Sequence, residues 1–291
     1  YHAILIGWIP LHLTTIVCGV LAIAHGQCTP IEMLGILLSV GLTGGAGINV
    51  AHELMHRPGK FDKAAAELIM GSVFYTHFCV EHVYGHHRRV ATTEDPATSR
   101  LGETVYAFLP RSVIGGFKSF WEIETKLVAR RKIGVGSLKD RRVRYLLCAF
   151  VYLVIAMMCF GIAGCTFLIL QGVVAFSMLE VVNYLEHYGL QREQLASGRY
   201  RKVLLQDSWS SAHRLTGYLL FGLPRHADHH YRASREYPIL RHHEEAPQLP
   251  AGYLTMILLA LVPPLWFWVM NPRVRSVMNV DCDEGYQPAK A

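Results

Sequence analysis

Between Tyr1 and Ala51 the chain carries one charged side chain, Glu32, and between Arg144 and Glu180 it carries none. Charge-free runs of this length leave few options, because a water-facing helix must place charged or polar residues on its outer face. A helix that crosses a bilayer needs about 20 predominantly apolar residues at a rise of about 1.5 Å each, so each run holds two spans rather than one. Four transmembrane helices are predicted, at about 3–24, 31–51, 145–162 and 165–187. The first pair turns at His25, Gly26, Gln27 and Pro30, and Gly161 and Gly164 mark the break in the second pair. With 52% hydrophobic and 17% charged residues in 291, the composition agrees with an all-α integral membrane protein. The chain enters an apolar span without an initiator Met, signal peptide or charged flank, so further helices are expected upstream.

Charge gives the expected orientation. Of the 28 Lys and Arg, sixteen lie from Arg57 to Arg144, nine from Arg192 to Arg241, and the rest are Arg273, Arg275 and Lys290. The positive-inside rule then puts segments 52–144 and 188–250 in the cytoplasm. The net charge of +6 follows from that topology and from contact with anionic headgroups, and no basic patch with interleaved aromatics points to nucleic acid. Residues 253–270 are apolar enough to span, but Pro263-Pro264 breaks a helix, so an interfacial helix is expected there. Residues 1–270 read as one membrane catalytic domain, followed by a partly disordered tail, 271–291. The seven cysteines show no CxxC, which excludes an iron–sulfur cluster or a zinc ribbon.

Nine of the sixteen histidines fall in four clusters. His52-Glu-Leu-Met-His56 closes the second span with two imidazoles at i and i+4, on one helix face. Glu81-His82-Val-Tyr-Gly-His86-His87 adds three more. Asn183-Tyr-Leu-Glu186-His187-Tyr-Gly189 closes the fourth span, and Arg225-His226-Ala-Asp228-His229-His230 follows. Under the predicted topology all nine gather on one side of the membrane. Without a metal they would leave many buried ring nitrogens to be satisfied and would repel one another on protonation. One first-row ion takes about four to six protein ligands, so nine imply two metals. Imidazole suits iron, copper, zinc or nickel alike. A membrane zinc protease with the HELMH motif and Glu53 as base accounts for two or three histidines and leaves the other clusters without a purpose.

The order HExxH, EHxxGHH, NYxEHYG, RHxDHH resembles the membrane alkane 1-monooxygenases, a family related to xylene monooxygenase and the acyl desaturases. Flanking stretches carry the same resemblance: Val90-Ala-Thr-Thr-Glu94-Asp95-Pro96-Ala-Thr-Ser-Arg100, Leu101-Gly-Glu-Thr-Val-Tyr and Tyr184-Leu-Glu-His-Tyr-Gly-Leu190. Thr93, Pro224 and the Ser210-Ser211 pair depart from the family's usual residues, and none removes a histidine. The HELMH and the Pro-Gln-Leu-Pro stretch ending at Pro250 are similar to xylene monooxygenase.

The resemblance implies a bundle of six spans with a cytoplasmic helical cap in the bacterial inner membrane. It implies two irons held by histidine alone, O2 as oxidant, and terminal hydroxylation of n-alkanes to 1-alkanols. The ligands would be His52, His56, His82, His86, His87, His187, His226, His229 and His230. Methyl hydroxylation of xylene or toluene and acyl desaturation are the alternatives inside the superfamily. Glu53, Glu81, Glu186 and Asp228, each beside a proposed ligand, are expected to orient imidazoles, and Glu94 and Asp95 either do the same or cap a turn. No flavin or nicotinamide fingerprint is present, so electrons must come from another protein. The family implies rubredoxin and its reductase; Arg88, Arg89, Arg130, Arg131 and Lys132 offer a docking face, while positive-inside bias accounts for most of these charges without a partner.

Overall fold

The computed structural model describes residues 1–278; the remainder of the expected tail, 279–291, lies outside the described residues. The described chain is helical, and its only β pairing is two isolated bridges, Gln194 with Tyr200 and Ser210 with Gln248. In chain order the helices are α1 (His2–His25), α2 (Pro30–Met55), α3 (Lys60–Ser72), α4 (Phe78–Glu81), a π turn (His82–His86) and α5 (His87–Arg89). They continue with α6 (Val105–Arg130), α7 (Arg141–His187), α8 (Arg214–Leu219), α9 (His226–Tyr231), α10 (Tyr253–Ala260) and α11 (Pro263–Met278). Three of them, α1, α2 and α7, are long and apolar enough to cross a membrane. The chain packs as two compact units, one of Tyr1–Val83 with Phe117–Leu179, the other of Tyr84–Gly116 with Glu180 onward.

In the first unit the lone early charge has a local task. Glu32 accepts hydrogen bonds from the Thr29 N–H at 2.8 Å and the Thr29 hydroxyl at 2.7 Å, and Pro30 takes the first helical position, so α2 starts where its orphan donors are met. The helix runs on to Met55 with His56 as its cap, a turn beyond the expected end at 51. The Gly41–Gly47 run serves close packing. A Cβ at Gly41 would stand 2.5 Å from the Val174 Cβ, and one at Gly47 would stand 2.6 Å from the His12 ring.

The 47 residues of α7 would measure about 70 Å if straight, more than twice the roughly 30 Å of a hydrocarbon core. They are not straight. Gly161 adopts φ 61° and ψ −164°, and the Cys165 Sγ lies 3.5 Å from the carbonyl of Leu153, twelve residues earlier. The chain therefore doubles back, with arms on either side of the glycine at which the sequence places its break. Ala156, Cys165, Phe167 and Leu168 from these arms pack with Ile16, Val20 and Val40. The outer faces leave Ile4, Leu11, Leu42, Phe150, Met158 and Ile162 exposed, an apolar surface that suits lipid. This is a membrane protein.

The second unit has an aromatic core of Tyr184, Tyr188, Trp209, Tyr253 and Trp266. Each phenol keeps a partner: Tyr184 donates to the Glu103 carbonyl at 2.6 Å, Tyr188 to Asn271 Oδ1 at 2.7 Å and Tyr253 to Glu186 at 2.8 Å. The expected single helix at 253–270 is two, α10 and α11, which meet at 119°, with Pro263 as the first residue of the second. Helix α11 continues through Pro272 to Met278, so the first eight residues of the expected tail are helical. Trp266, Met270 and Val274 explain this, because they form one buried stripe against the aromatic core.

Candidate metal centre

Helix periodicity places His52 and His56 on one face at the end of α2, and the first unit brings His82 to them. The three ring centroids are 4.6–5.2 Å apart, and the Nε2 atoms of His52 and His82 approach to 2.9 Å. His82 is braced from behind by stacking on Phe78 at 4.7 Å. The π turn from His82 to His86 widens the helix where the second histidine cluster lies, a local distortion common at functional sites.

The second unit gathers the other six imidazoles. His86, His187, His226 and His230 are all buried, and each offers a ring nitrogen within 4.8 Å of the others. Successive Nε2···Nε2 distances are 3.2 Å for His86–His230, 2.9 Å for His230–His226 and 3.2 Å for His226–His187. His87 and His229 meet in the same way at 3.1 Å.

These contacts fit a cation better than hydrogen bonds. An imidazole nitrogen carries either a proton or a lone pair, never both. One N–H on His226 would have to serve His230 and His187 together, and one lone pair on His230 would have to serve both His86 and His226. With metal–nitrogen bonds of about 2.0–2.1 Å, nitrogens sharing one ion stand about 3.0–3.4 Å apart, close to the spacing observed. Burial, followed by the surrounding imidazoles His87, His226, His86 and His187, pushes the His230 pKa well below the usual histidine range. The ring is then neutral, and its lone pair is available for ligation.

The flanking acids separate into different roles. Asp95 takes the outer position expected of an orienting carboxylate: its Oδ2 lies 2.9 Å from His86 Nδ1 and accepts from the Thr98 hydroxyl at 2.6 Å. Burial pushes this carboxyl up, but the adjacent His86 imidazole and the hydrogen bonds from His86 and Thr98 outweigh it and hold the pKa below the usual range. Asp95 is thus fixed as a carboxylate, which fixes the His86 tautomer.

Glu186 lies on the inner side instead, with Oε2 3.2 Å from His226 Nε2 and Oε1 accepting from Tyr253. Glu53 stands 3.9 Å from His52 Nδ1, and Glu81 accepts from Ser119 at 3.1 Å. Asp228 turns away from the imidazoles to Arg235, the Arg241 N–H at 2.8 Å and His243 at 3.0 Å. It ties the loop after α9 in place. Sequence reasoning missed two further groups. Ser208 approaches His187 Nδ1 at 3.5 Å, and the buried Arg192 guanidinium donates to the carbonyls of Val90 and Arg88, both at 2.7 Å, and Arg201 at 2.8 Å. Arg192 clamps the segment that follows His86 and His87.

Comparison with known proteins agrees with this chemistry. A family model described as fatty acid desaturase matches residues 30–260. Alkane 1-monooxygenase 2 of Pseudomonas aeruginosa is 40% identical over 95% of this chain and 74% of its own length. The alkane 1-monooxygenase of Acinetobacter baylyi is 39% identical over 94% and 67%. The xylene/toluene monooxygenase hydroxylase component of Pseudomonas putida is more distant, 28% identical over 85% and 66%.

Proposed function

Since this chain belongs to the fatty acid desaturase family and to its alkane 1-monooxygenases, we propose that it converts medium- to long-chain n-alkanes to 1-alkanols with O2. The observation that carries the reading is the convergence of four buried Nε2 atoms, from His86, His187, His226 and His230, in a chain of that family. The nine clustered histidines would hold two irons, with these four serving one of them. Bound iron supplies the O2 and electron-transfer chemistry that an unactivated C–H bond requires.

The chain's own residues hold and shield that site. Asp95 and Thr98 keep His86 in one tautomer, Tyr253 fixes the Glu186 side chain, and burial of all four imidazoles excludes water. The substrate is as apolar as the bilayer and enters from it. In the proposed topology α1, α2 and the two arms of α7 make four spans in the bacterial inner membrane. The histidine-bearing ends and a helical cap then face the cytoplasm, where the basic segments also lie. Electrons come from rubredoxin and its reductase.

Purified protein given an n-alkane, reductant and 18O2 is expected to yield the labelled 1-alcohol, with about two irons per chain by metal analysis. An alkene product would replace this reading with desaturation, and a preference for xylene or toluene would move it to the aromatic branch. One zinc with no iron would refute it.

A further inference from the structure

Apart from the histidine groups, the first unit holds a cavity of about 540 Å³, within the range of roughly 300–1,000 Å³ for small-molecule pockets. Three helical stripes wall it: Leu13 and Val17 of α1, Ala64 and Leu68 of α3, and Cys148 and Ala149 of α7. The space arises because Ala64, Cys148 and Ala149 are small where three helices meet. The wall is mainly apolar, with Ser72 and Thr76 among its polar members.

Part of the lining is charged. Glu67 and Arg144 lie there with Tyr145, the Tyr145 hydroxyl donating to Glu67 at 2.6 Å and the Arg144 guanidinium at 2.8 and 3.0 Å. Arg144 lies near the start of α7. Because Glu67 and Arg144 neutralise each other, a phosphate would meet the carboxylate as well as the guanidinium. A hydroxyl fits both, since it can donate to Glu67 and accept from Arg144.

We infer that this cavity is a binding site for a long-chain primary alcohol, with its hydroxyl at Glu67, Arg144 and Tyr145 and its alkyl chain along α1, α3 and α7. The identity of the ligand rests on the reading that the enzyme makes 1-alkanols, and the site would hold that product apart from the histidines.

Native mass spectrometry of the full chain, with 1-dodecanol, n-dodecane or phosphatidylcholine added separately, tests the inference. One 1-dodecanol per chain is expected, retained in preference to n-dodecane. Ala149→Trp should abolish retention, and Tyr145→Phe should weaken it about tenfold with n-dodecane unaffected. Should Ala149→Trp fail to fold by circular dichroism, Cys148→Leu fills less of the same space and should weaken retention. Equal retention of alcohol and alkane, displacement of the alcohol by phosphatidylcholine, or full retention in the folded filled variant would overturn the proposal. Iron content and 1-alkanol formation in the same preparations are read separately, so loss of catalysis with intact dodecanol binding counts against the functional reading alone.

Discussion

Asp95 shows how much a single carboxylate can decide. It is the outer partner of His86, buried and held ionised by the groups around it. Replacing it with Ala frees the His86 ring to rotate and to change tautomer. Loss of such an orienting partner typically costs about 10- to 100-fold in metal affinity, so Asp95→Ala protein should retain less iron than wild type after dialysis against a chelator, as read by metal analysis. Unchanged iron retention would remove Asp95 from the site. His77 makes a different prediction. Enclosed by Tyr75, Phe117 and Phe120, it has its pKa lowered by burial to about 4 from an ordinary 6.5. Between those two pH values the unfolded chain binds a proton that the folded chain does not. Stability is therefore complete above pH 6.5 and falls as the pH drops toward 4, by about 3 kcal/mol. Thermal unfolding of His77→Phe should show a flatter pH profile over this window, and a profile parallel to wild type would contradict the assignment.

Among the elements, the hairpin within α7 depends on Gly161. Its φ of 61° with ψ of −164° belongs to a region that only glycine occupies readily. Gly161→Ala is expected to destabilise the protein by about 1–3 kcal/mol, lowering the thermal midpoint while leaving helix content by circular dichroism nearly intact. A midpoint equal to that of wild type would show that the turn tolerates a side chain. This turn was legible in the sequence, because a glycine inside a charge-free run too long for one span has few other meanings. The start of α2 was legible in part, since Pro30 marks the end of the turn, but the Thr29–Glu32 capping box that fixes it was not read from the sequence. The π turn at His82–His86 was not, because an extra residue in one helical turn leaves no trace in the spacing of apolar residues. The extension of α11 past Pro272 was also missed, since its cause is a distant aromatic core that holds Trp266, Met270 and Val274 in place.

At the scale of the whole molecule, the sequence displayed its chemistry more openly than its scaffolding. Imidazoles that must meet a metal cannot be replaced by residues of another type, so their clusters stand out in the chain. Supporting groups are harder to see, because any neighbouring acid can serve. Glu53, Glu81 and Asp228 each adjoin a histidine in sequence, yet the outer carboxylate at His86 is Asp95, nine residues away, which the sequence offered equally for capping a turn. Arg192 was invisible for another reason: its partners are main-chain carbonyls, which every residue has. Arg192→Ala removes hydrogen bonds to three carbonyls from a buried position and should lower the thermal midpoint, with Arg192→Lys recovering only part of the loss because an ammonium lacks the planar fork. Full recovery by Lys would mean that charge alone matters there. The same clamp bears on how the protein can diversify. A carbonyl keeps its position whatever side chain accompanies it, so the identities of residues 88, 90 and 201 are decoupled from the shape of the backbone that Arg192 holds. Mutational drift can redraw the surface at the exposed Arg88, in charge or in bulk, while the buried Val90 is confined to apolar residues that fit and the neighbouring histidines stay in register.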